Sequence, residues 1–231
     1  VSPASRYAAR LAGLVAGPRG LPVTTLRLDG EAGKQGASVS ESAILSGARE
    51  SRERTEEPTA AREVDVVARE ATGRPEDEIA TEAQRGYDIL FLGIAAAEIG
   101  RGAPAPLVAM AEAFEGPLAI AVSRGDALED PPVGPRRILV AVNGTTVSQR
   151  GLETALALAR ATQSPVEALY VAPPGEPGRR RRFGLGRRNE TAVLREAVRH
   201  AERLGVPLRV RIRRREAPVA AIAREAARRR P

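Results

Sequence analysis

The residues able to act as nucleophiles, acids, bases or metal ligands are few in this chain. It contains no cysteine, which removes disulfides, thiolate metal sites and thiol nucleophiles together. Its single histidine, His200, rules out a multi-histidine metal site, and a Ser–His–Asp triad would have to be built around that one residue. His200 falls on a predicted helix beside an apolar stripe, so we interpret it as a boundary residue. We therefore predict neither catalysis nor a metal site.

The densest charge lies in the segment 179–188, where glycines separate arginines. Six arginines occupy ten positions: Arg179, Arg180, Arg181, Arg182, Arg187 and Arg188. Two interpretations stay open, a solvated loop or docking on anionic lipid headgroups, worth about 1 kcal/mol per basic residue near the surface. Aromatic residues make up 3% of the chain, so base stacking has few platforms and nucleic acid is disfavoured.

Charge is distributed unevenly along the chain. Residues 1–134 carry a net charge of −7, and residues 135–231 carry +14. This asymmetry indicates contact with an anionic surface, or attraction between the two parts. No apolar run approaches the roughly 20 residues of a membrane-spanning helix, and no signal peptide opens the chain, so we expect a water-soluble, cytoplasmic segment.

Short apolar strands alternate with helices in the second part of the chain. Arg137–Asn143 has the β-branched pattern of a strand buried on both faces. Thr145 or Thr146 can cap the helix that follows, which presents the apolar stripe Leu152, Ala155, Leu156, Ala159. A second strand, Val166–Val171, comes next. This alternation predicts right-handed βαβ units on a parallel sheet.

The chain beyond the second strand continues the alternation. After a loop at 173–188 we predict a helix near 190–204 and a strand at Pro207–Ile212. Arginines alternate through that strand, which indicates an edge strand with one charged face. A last helix should bury a stripe made of Val219, Ile222, Ala223 and Ala226.

The first part of the chain supplies further strands. Asp88–Gly93 is predicted to be a buried strand, and Gly116–Val122 is predicted to follow as the fifth. The helix between them places four residues on one face: Leu107, Met110, Ala111 and Phe114. Gly100-Arg101-Gly102 could hold an anion, although we favour a plain surface loop there. The polar segment Asp29–Ala61 is expected to be partly helical at best.

One offset of 143 positions relates the two parts. Matching residues are Ser5, Ala12, Ala16, Pro22, Val23 and Leu26 with Ser148, Ala155, Ala159, Pro165, Val166 and Leu169, and Pro75, Ile79, Ala80, Glu82, Ala83 and Arg85 with Pro218, Ile222, Ala223, Glu225, Ala226 and Arg228. A single offset at two distant places indicates two copies of one domain. We predict tandem doubly wound parallel five-stranded α/β domains at 1–125 and 137–231, joined by a linker at 126–136. The first copy should lack its first strand and the second its last strands.

The strand Ile138–Gly144 with its threonine-rich turn, the strand Val166–Val171 and the segment Leu90–Gly93 resemble the universal stress protein family in tandem. The segment Phe114–Arg124 and the two-copy layout resemble more narrowly the cytoplasmic C-terminal region of Kef-type (monovalent cation:proton antiporter-2) transporters. The resemblance implies a doubly wound fold in which paired domains follow a membrane antiporter domain.

The resemblance also implies where ATP or AMP would bind. Family members place adenosine against an aspartate that ends the first strand and the phosphates in a loop Gly-x2-Gly-x9-Gly-Ser/Thr. Here Asn143 replaces the aspartate, and the loop positions read Gly93, Ala96, Pro106 and Leu107. Because proline lacks a donor and leucine a hydroxyl, tight phosphate binding is not expected. The candidate nucleotide site therefore consists of the following residues: Ala141, Asn143, Val171, Leu28 and Gly93.

The function implied by the resemblance is regulation of a cation:proton antiporter without catalysis, from the cytoplasmic side of the inner membrane. The alternative is a free-standing tandem stress protein in the cytoplasm that binds ATP or AMP. The expected partners are the antiporter membrane domain, anionic lipid headgroups and a second copy. Family members pair through their last strands, so we expect a homodimer through the edge strand Leu118–Val122. Neither the transported ion nor the effector follows from the residues.

Overall fold

The chain is an α/β protein with parallel strands. A computed structural model describes residues 2–27, 34–54, 63–71, 73–96, 105–114, 116–123, 137–172 and 185–228. The chain divides into two compact units, Val1–Val133 (unit 1) and Gly134–Pro231 (unit 2). Every strand pair in these described ranges is parallel, as the strand–helix alternation predicts.

Helices and strands alternate through most of both units. Unit 1 contains α1 (Pro3–Ala16), β1 (Val23–Arg27), α2 (Lys34–Arg54), β2 (Val66–Glu70), α3 (Pro75–Ala83), β3 (Leu90–Ala95), α4 (Ala105–Ala113) and β4 (Leu118–Ser123). Unit 2 contains β5 (Ile138–Val142), α5 (Thr146–Thr162), β6 (Val166–Ala172), α6 (Leu185–Arg203), β7 (Leu208–Arg214) and α7 (Pro218–Ala227). Helix α6 begins at Leu185 and not near Glu190, so the predicted loop 173–188 is too long at its end.

Unit 2 has a three-stranded sheet in the order β5-β6-β7. Helices α5 and α6 cover one face of it, where Leu156 and Ala168 are completely buried. The stripe predicted on α5 faces this core, since Leu152 and Ala159 are buried as well. Burying a leucine side chain contributes roughly 1.5–3 kcal/mol, so this layer dominates the stability of unit 2.

The other face of this sheet differs from the prediction. Strand β5 is buried on one side only, because Val140 and Val142 are buried whereas Ala141 between them is exposed. Helix α7 also does not bury the predicted stripe: Val219 is 82% exposed. It buries Ala221 and the carboxylate of Glu225 instead. An ion-paired glutamate, and not an apolar stripe, therefore fixes how α7 faces the sheet.

Unit 1 also departs from the single doubly wound sheet that the sequence predicts. Its strands form two separate two-stranded sheets, β1-β2 and β3-β4, with no strand of the described residues joining β1 to β3. Helix α1 packs against β3 and β4 as well as against α2. Gly93 on β3 makes this possible, because a Cβ there would collide with the backbone carbonyl of Ala4. The close packing of α1 on β3 thus requires glycine at position 93.

The polar segment 29–61, for which we predict partial helicity, contains the longest helix of the described residues. Helix α2 spans Lys34–Arg54, and its Ile44 and Ala48 are completely buried. Helices α1 and α2 approach closely because Gly13 of α1 lies against the backbone of Ile44. Small residues replace large apolar ones in this contact, which is why hydropathy alone does not reveal the buried face.

Candidate functional site

The turn after β5 occupies the carboxyl edge of the sheet, where doubly wound folds bind ligands. Asn143 follows the strand and is exposed. Its side-chain oxygen Oδ1 accepts hydrogen bonds from Thr145 N at 3.0 Å and from Thr145 Oγ1 at 2.7 Å. This is an Asx turn, in which the side chain mimics a backbone turn. The oxygen that the family resemblance would place against adenosine therefore already accepts two hydrogen bonds within the chain.

The same turn begins helix α5. Thr145 is the N-cap residue, and its Oγ1 accepts a hydrogen bond from Ser148 N at 3.3 Å. Gly144 between the two has φ +84°, and a Cβ there would lie 2.6 Å from Cγ2 of Val193 on α6. Backbone conformation and lack of space both require glycine at this position. The first role of this turn is therefore to start α5.

The other candidate nucleotide residues are only partly assembled. Ala141 lies opposite Leu169 and is exposed, while Val171 is half-buried one residue beyond the partner of Val142. Gly93 lies in unit 1, where it accommodates α1. Leu28 lies outside the described residues. In unit 2 the site thus consists of Ala141, Asn143 and Val171 along the carboxyl edge of β5 and β6.

The arginine segment is described only at its end. Arg179, Arg180, Arg181 and Arg182 lie outside the described residues, as do Gly100, Arg101 and Gly102. Arg187 and Arg188 belong to the first turns of α6, but the positions of their side chains are not described. The proposed contact of these arginines with an anionic surface stays a prediction.

A small groove between α5 and α6 contains the single histidine. His200 is half-buried there, beside Leu152 and Val193. At its rim Gln149 Nε2 donates to the carboxylate of Glu196, at 3.3 Å to one oxygen and 3.4 Å to the other. His200 therefore occupies the boundary between apolar core and solvent.

A cluster of ion pairs on the other face of the sheet was not predicted. Glu225 of α7 is 4% exposed and receives a hydrogen bond from Arg213 of β7 at 2.6 Å. Arg211 Nε lies 2.6 Å from Glu167 Oε1 and 3.4 Å from Glu225 Oε1. Arg228 approaches Glu225 at 3.9 Å. The predicted charged face of the edge strand is thus confirmed, and acidic residues of β6 and α7 neutralise it.

The titration of this cluster follows from its pairing. The hydrogen bond from Arg213 lowers the pKa of Glu225 below its usual value, and the charges of Arg211, Arg213 and Arg228 act in the same direction against the effect of burial. The hydrogen bond to Glu167 raises the pKa of Arg211. Glu225 therefore stays ionised although it is buried, and it pins α7 to the sheet.

Unit 1 contains a counterpart of the Glu225 cluster, 143 positions earlier in the sequence. Glu82 of α3 accepts a hydrogen bond from the hydroxyl of Tyr87, which lies 2.9 Å from Thr24 Oγ1. Arg69 Nε is 3.3 Å and Arg85 Nε 3.1 Å from the same carboxylate. Burial raises the pKa of Tyr87, and the hydrogen bond with Glu82 adds to that shift. The repeated Glu-Ala-x-Arg of α3 and α7 is the sequence signal that could have located both clusters.

The described ranges contain no group of three or more histidine, cysteine, aspartate or glutamate side chains placed to hold a metal ion. None of the helices in those ranges is long and apolar enough to cross a membrane.

Comparison with known proteins gives the class of unit 2. Residues 134–231 match the model of the universal stress protein family, so this unit carries a universal stress protein domain. A universal stress protein from Archaeoglobus fulgidus DSM 4304 superposes with a TM-score of 0.54 and 16% identity, covering 96% of this chain and 79% of that one. That similarity concerns the fold alone.

A second solved structure is similar over a shorter stretch. A protein from the universal stress protein family from Burkholderia pseudomallei is 29% identical over 40% of this chain and 72% of its own, with a TM-score of 0.36. A search of curated proteins found no match.

Proposed function

We propose that the chain is a non-catalytic regulatory module, built of two stress-protein-like domains, that acts by binding and self-association. The family match of residues 134–231 carries this proposal. The offset of 143 positions extends the domain type to unit 1, as one half of a tandem of doubly wound domains. A role without catalysis is consistent with the candidate site. Its one polar side chain, Asn143, is engaged in the turn that starts α5 and is therefore not set up for chemistry.

In its finer form, the proposal makes the chain the cytoplasmic regulatory region of a Kef-type cation:proton antiporter. The segment 114–124 and the charge asymmetry between the two halves support this form. Reading the coding sequence on both sides of the chain tests it. Membrane-spanning segments upstream of Val1 are expected, and their absence there would exclude the antiporter.

The second candidate is a free-standing tandem stress protein that binds ATP or AMP. The family match favours it equally, and nucleotide affinity tests its ligand. Titration calorimetry with ATP and with AMP should show no saturable micromolar binding to the 231-residue chain. Saturable binding that Asn143→Ala abolishes would make the nucleotide-binding candidate the better one, although a nucleotide-sensing antiporter would remain compatible with it.

A single substitution refines this titration. Asn143→Asp keeps the oxygen that accepts from Thr145 and adds the charge expected from the family resemblance. Asn189→Asp adds the same charge at an exposed position of α6 and serves as the control. If loss of the aspartate is what weakens the site, Asn143→Asp gains nucleotide affinity and the control does not.

The proposed association uses strand β4, which pairs on one side with β3 and has its other edge unpaired within the described residues. Strand β4 includes the predicted pairing segment Leu118–Val122, and Ile120 in its middle is 46% exposed. An apolar edge strand of this kind favours pairing with another copy. Ile120→Lys should weaken self-association in sedimentation velocity, whereas Val108→Lys, at a similarly exposed valine of α4, should not. Equal effects would remove β4 from the interface.

The arginine segment 179–188 is proposed to contact anionic lipid headgroups. Co-sedimentation with vesicles of phosphatidylglycerol and phosphatidylcholine should show binding that salt weakens and that replacement of Arg179–Arg182 by serine reduces. Equal binding to neutral vesicles would contradict this contact.

A further inference from the structure

Two strands hold the same position in the two units, and both lie at the edge of a sheet. The offset of 143 positions relates β2, Val66–Glu70, to Arg209–Arg213 of β7. Within the described residues β2 pairs only with β1, and β7 pairs only with β6. Each strand therefore leaves one row of backbone N–H and C=O groups available to another strand.

The two edges carry opposite charges. Four residues of β7 are arginines: Arg209, Arg211, Arg213 and Arg214. Strand β2 itself carries Arg69 and Glu70, whose charges balance, and the acidic residues Glu63 and Asp65 lie just before it. Arg209 and Asp65 are both exposed, and neither forms an ion pair with another residue in the ranges that the structure describes.

These charges decide which edges can meet. Because Arg211, Arg213 and Arg214 are ion-paired with acidic residues of their own unit, Arg209 on β7 and Asp65 before β2 are the charges that matter here. An in-register pairing of β7 with β7 of another copy would bring Arg209 against Arg209, and one of β2 with β2 would bring Asp65 against Asp65. Like charges opposite one another destabilise a strand pair, so both symmetric pairings are disfavoured. A β2 edge against a β7 edge places unlike charges together, and the halves that carry them have net charges of −7 and +14.

The residues between the charges also suit a strand. Val210 and Ile212 alternate with the arginines of β7, and Val210 is 40% exposed. On β2, Val67 is half-buried and Ala68 is exposed. Apolar side chains at these positions add contacts between the paired strands, which an acidic chain without such a pattern would not make.

We infer that β7 of one copy binds β2 of a second copy of this chain as an additional strand. The contact is heterologous, since it joins two different surfaces, and it leaves β4 free for the separate pairing of the proposed function. Because the attraction is electrostatic, salt weakens it.

Charge reversal tests this contact. The 231-residue chain is studied by sedimentation velocity with Ile120→Lys present throughout, so that β4 pairing does not contribute. Arg209→Glu and Asp65→Arg should each raise the dissociation constant about tenfold or more, as sign reversal at a charged pair predicts. Arg199→Glu on α6 and Glu112→Arg on α4 make the same charge changes at other exposed positions and should have little effect.

A mixture of variants then distinguishes β2–β7 pairing from general electrostatics. The Arg209→Glu chain keeps a wild-type β2 edge, and the Asp65→Arg chain keeps a wild-type β7 edge. Mixing the two should restore association, and the double variant should associate with itself.

Several results would overturn the inference. They are a chain that stays monomeric in this background, an Arg209→Glu variant that behaves as Arg199→Glu does, or a mixture that fails to associate. Circular dichroism confirms folding of each variant, and Glu63→Arg replaces Asp65→Arg if the latter unfolds. Loss of association by Ile120→Lys alone would leave the β4 proposal standing and remove this one.

Discussion

Glu82 of unit 1 and Glu225 of unit 2 occupy the same position of the repeat, but different residues hold them. In unit 1 the partners are Tyr87 and two arginines, and in unit 2 they are arginines alone. The neighbouring strand position is Thr24 in one unit and Glu167 in the other. The comparison shows that the repeat keeps a helix carboxylate facing the sheet while its environment changes from a mixed polar one to a mainly ionic one.

The cores of the two units differ in a related way. Unit 2 has a continuous apolar layer around Leu156, whereas unit 1 has a smaller cluster around Ile44, where glycines bring helices together. Unit 2 is therefore stabilised mainly by buried apolar surface area, and unit 1 mainly by close packing between helices. Substitutions at the centre of each core test the two units separately.

Truncation of the two central residues should have the largest effects. Leu156→Ala and Ile44→Ala each remove a completely buried side chain, and we expect each to cost about 2–5 kcal/mol of unfolding free energy. Hydrogen exchange followed by mass spectrometry measures each unit separately. The loss should be confined to the unit that is changed. An effect on both units would show that they unfold together.

Glu225→Gln should have the next largest effect, about 1–2 kcal/mol at neutral pH, since Arg213 and Arg211 lose a charged partner. The lowered pKa sets the sign of the pH dependence. Stability from this carboxylate is present above its unfolded pKa of about 4.3 and is lost as pH falls through the folded value. Wild type and variant should therefore converge in acid. Glu202→Gln, at an exposed position of α6, is the control.

Tyr87→Phe probes the unit 1 cluster from the alkaline side. The raised pKa means that the tyrosine contributes stability below its unfolded pKa of about 10, and that this contribution is lost as pH rises through the folded value. We expect a loss of about 1 kcal/mol at neutral pH and a difference that narrows in alkali. A gap that stays constant with pH would contradict the assignment. Tyr170→Phe, in the core of unit 2, is the comparison variant.

The smallest effects are expected at the helix caps, which the repeat also duplicates. Ser2 caps α1 and Thr145 caps α5, each accepting a hydrogen bond from the backbone of a serine three residues later. Ser2→Ala and Thr145→Ala should each cost about 0.5–1 kcal/mol in thermal or denaturant unfolding. A larger loss for Thr145→Ala would show that the Asn143 turn depends on the cap.

Much of the fold follows from the sequence, because periodicity reports burial. Each predicted strand lies within two residues of its bounds, and Thr145 caps α5 as expected. The sequence predicts only partial helicity around α2 and not its burial, because glycine and alanine make its closest contacts and apolar periodicity understates them. The prediction of a buried apolar stripe on α7 is wrong for the opposite reason. Val219 fits an apolar pattern, but the ion pairs of Glu225 orient the helix so that Val219 is exposed to solvent.

The candidate site is less accessible to sequence reasoning. Asn143 was recognised as an altered anchor, but its bond to Thr145 depends on local geometry that a motif does not contain. Gly93 was assigned to a phosphate loop, and its backbone contact with Ala4 comes from a segment nearly 90 positions away. A contact between residues so far apart in the sequence can be recognised only once the fold is known.

The separation of β1-β2 from β3-β4 in unit 1 has a consequence for how this unit opens. Two ladders that share no strand within the described residues are coupled through side chains, mainly those of α1, with the Tyr87–Thr24 hydrogen bond as a further link. Local unfolding free energies then depend strongly on that one helix. Detachment of α1 would release both ladders at once, whereas fraying of either ladder alone would leave its neighbour protected.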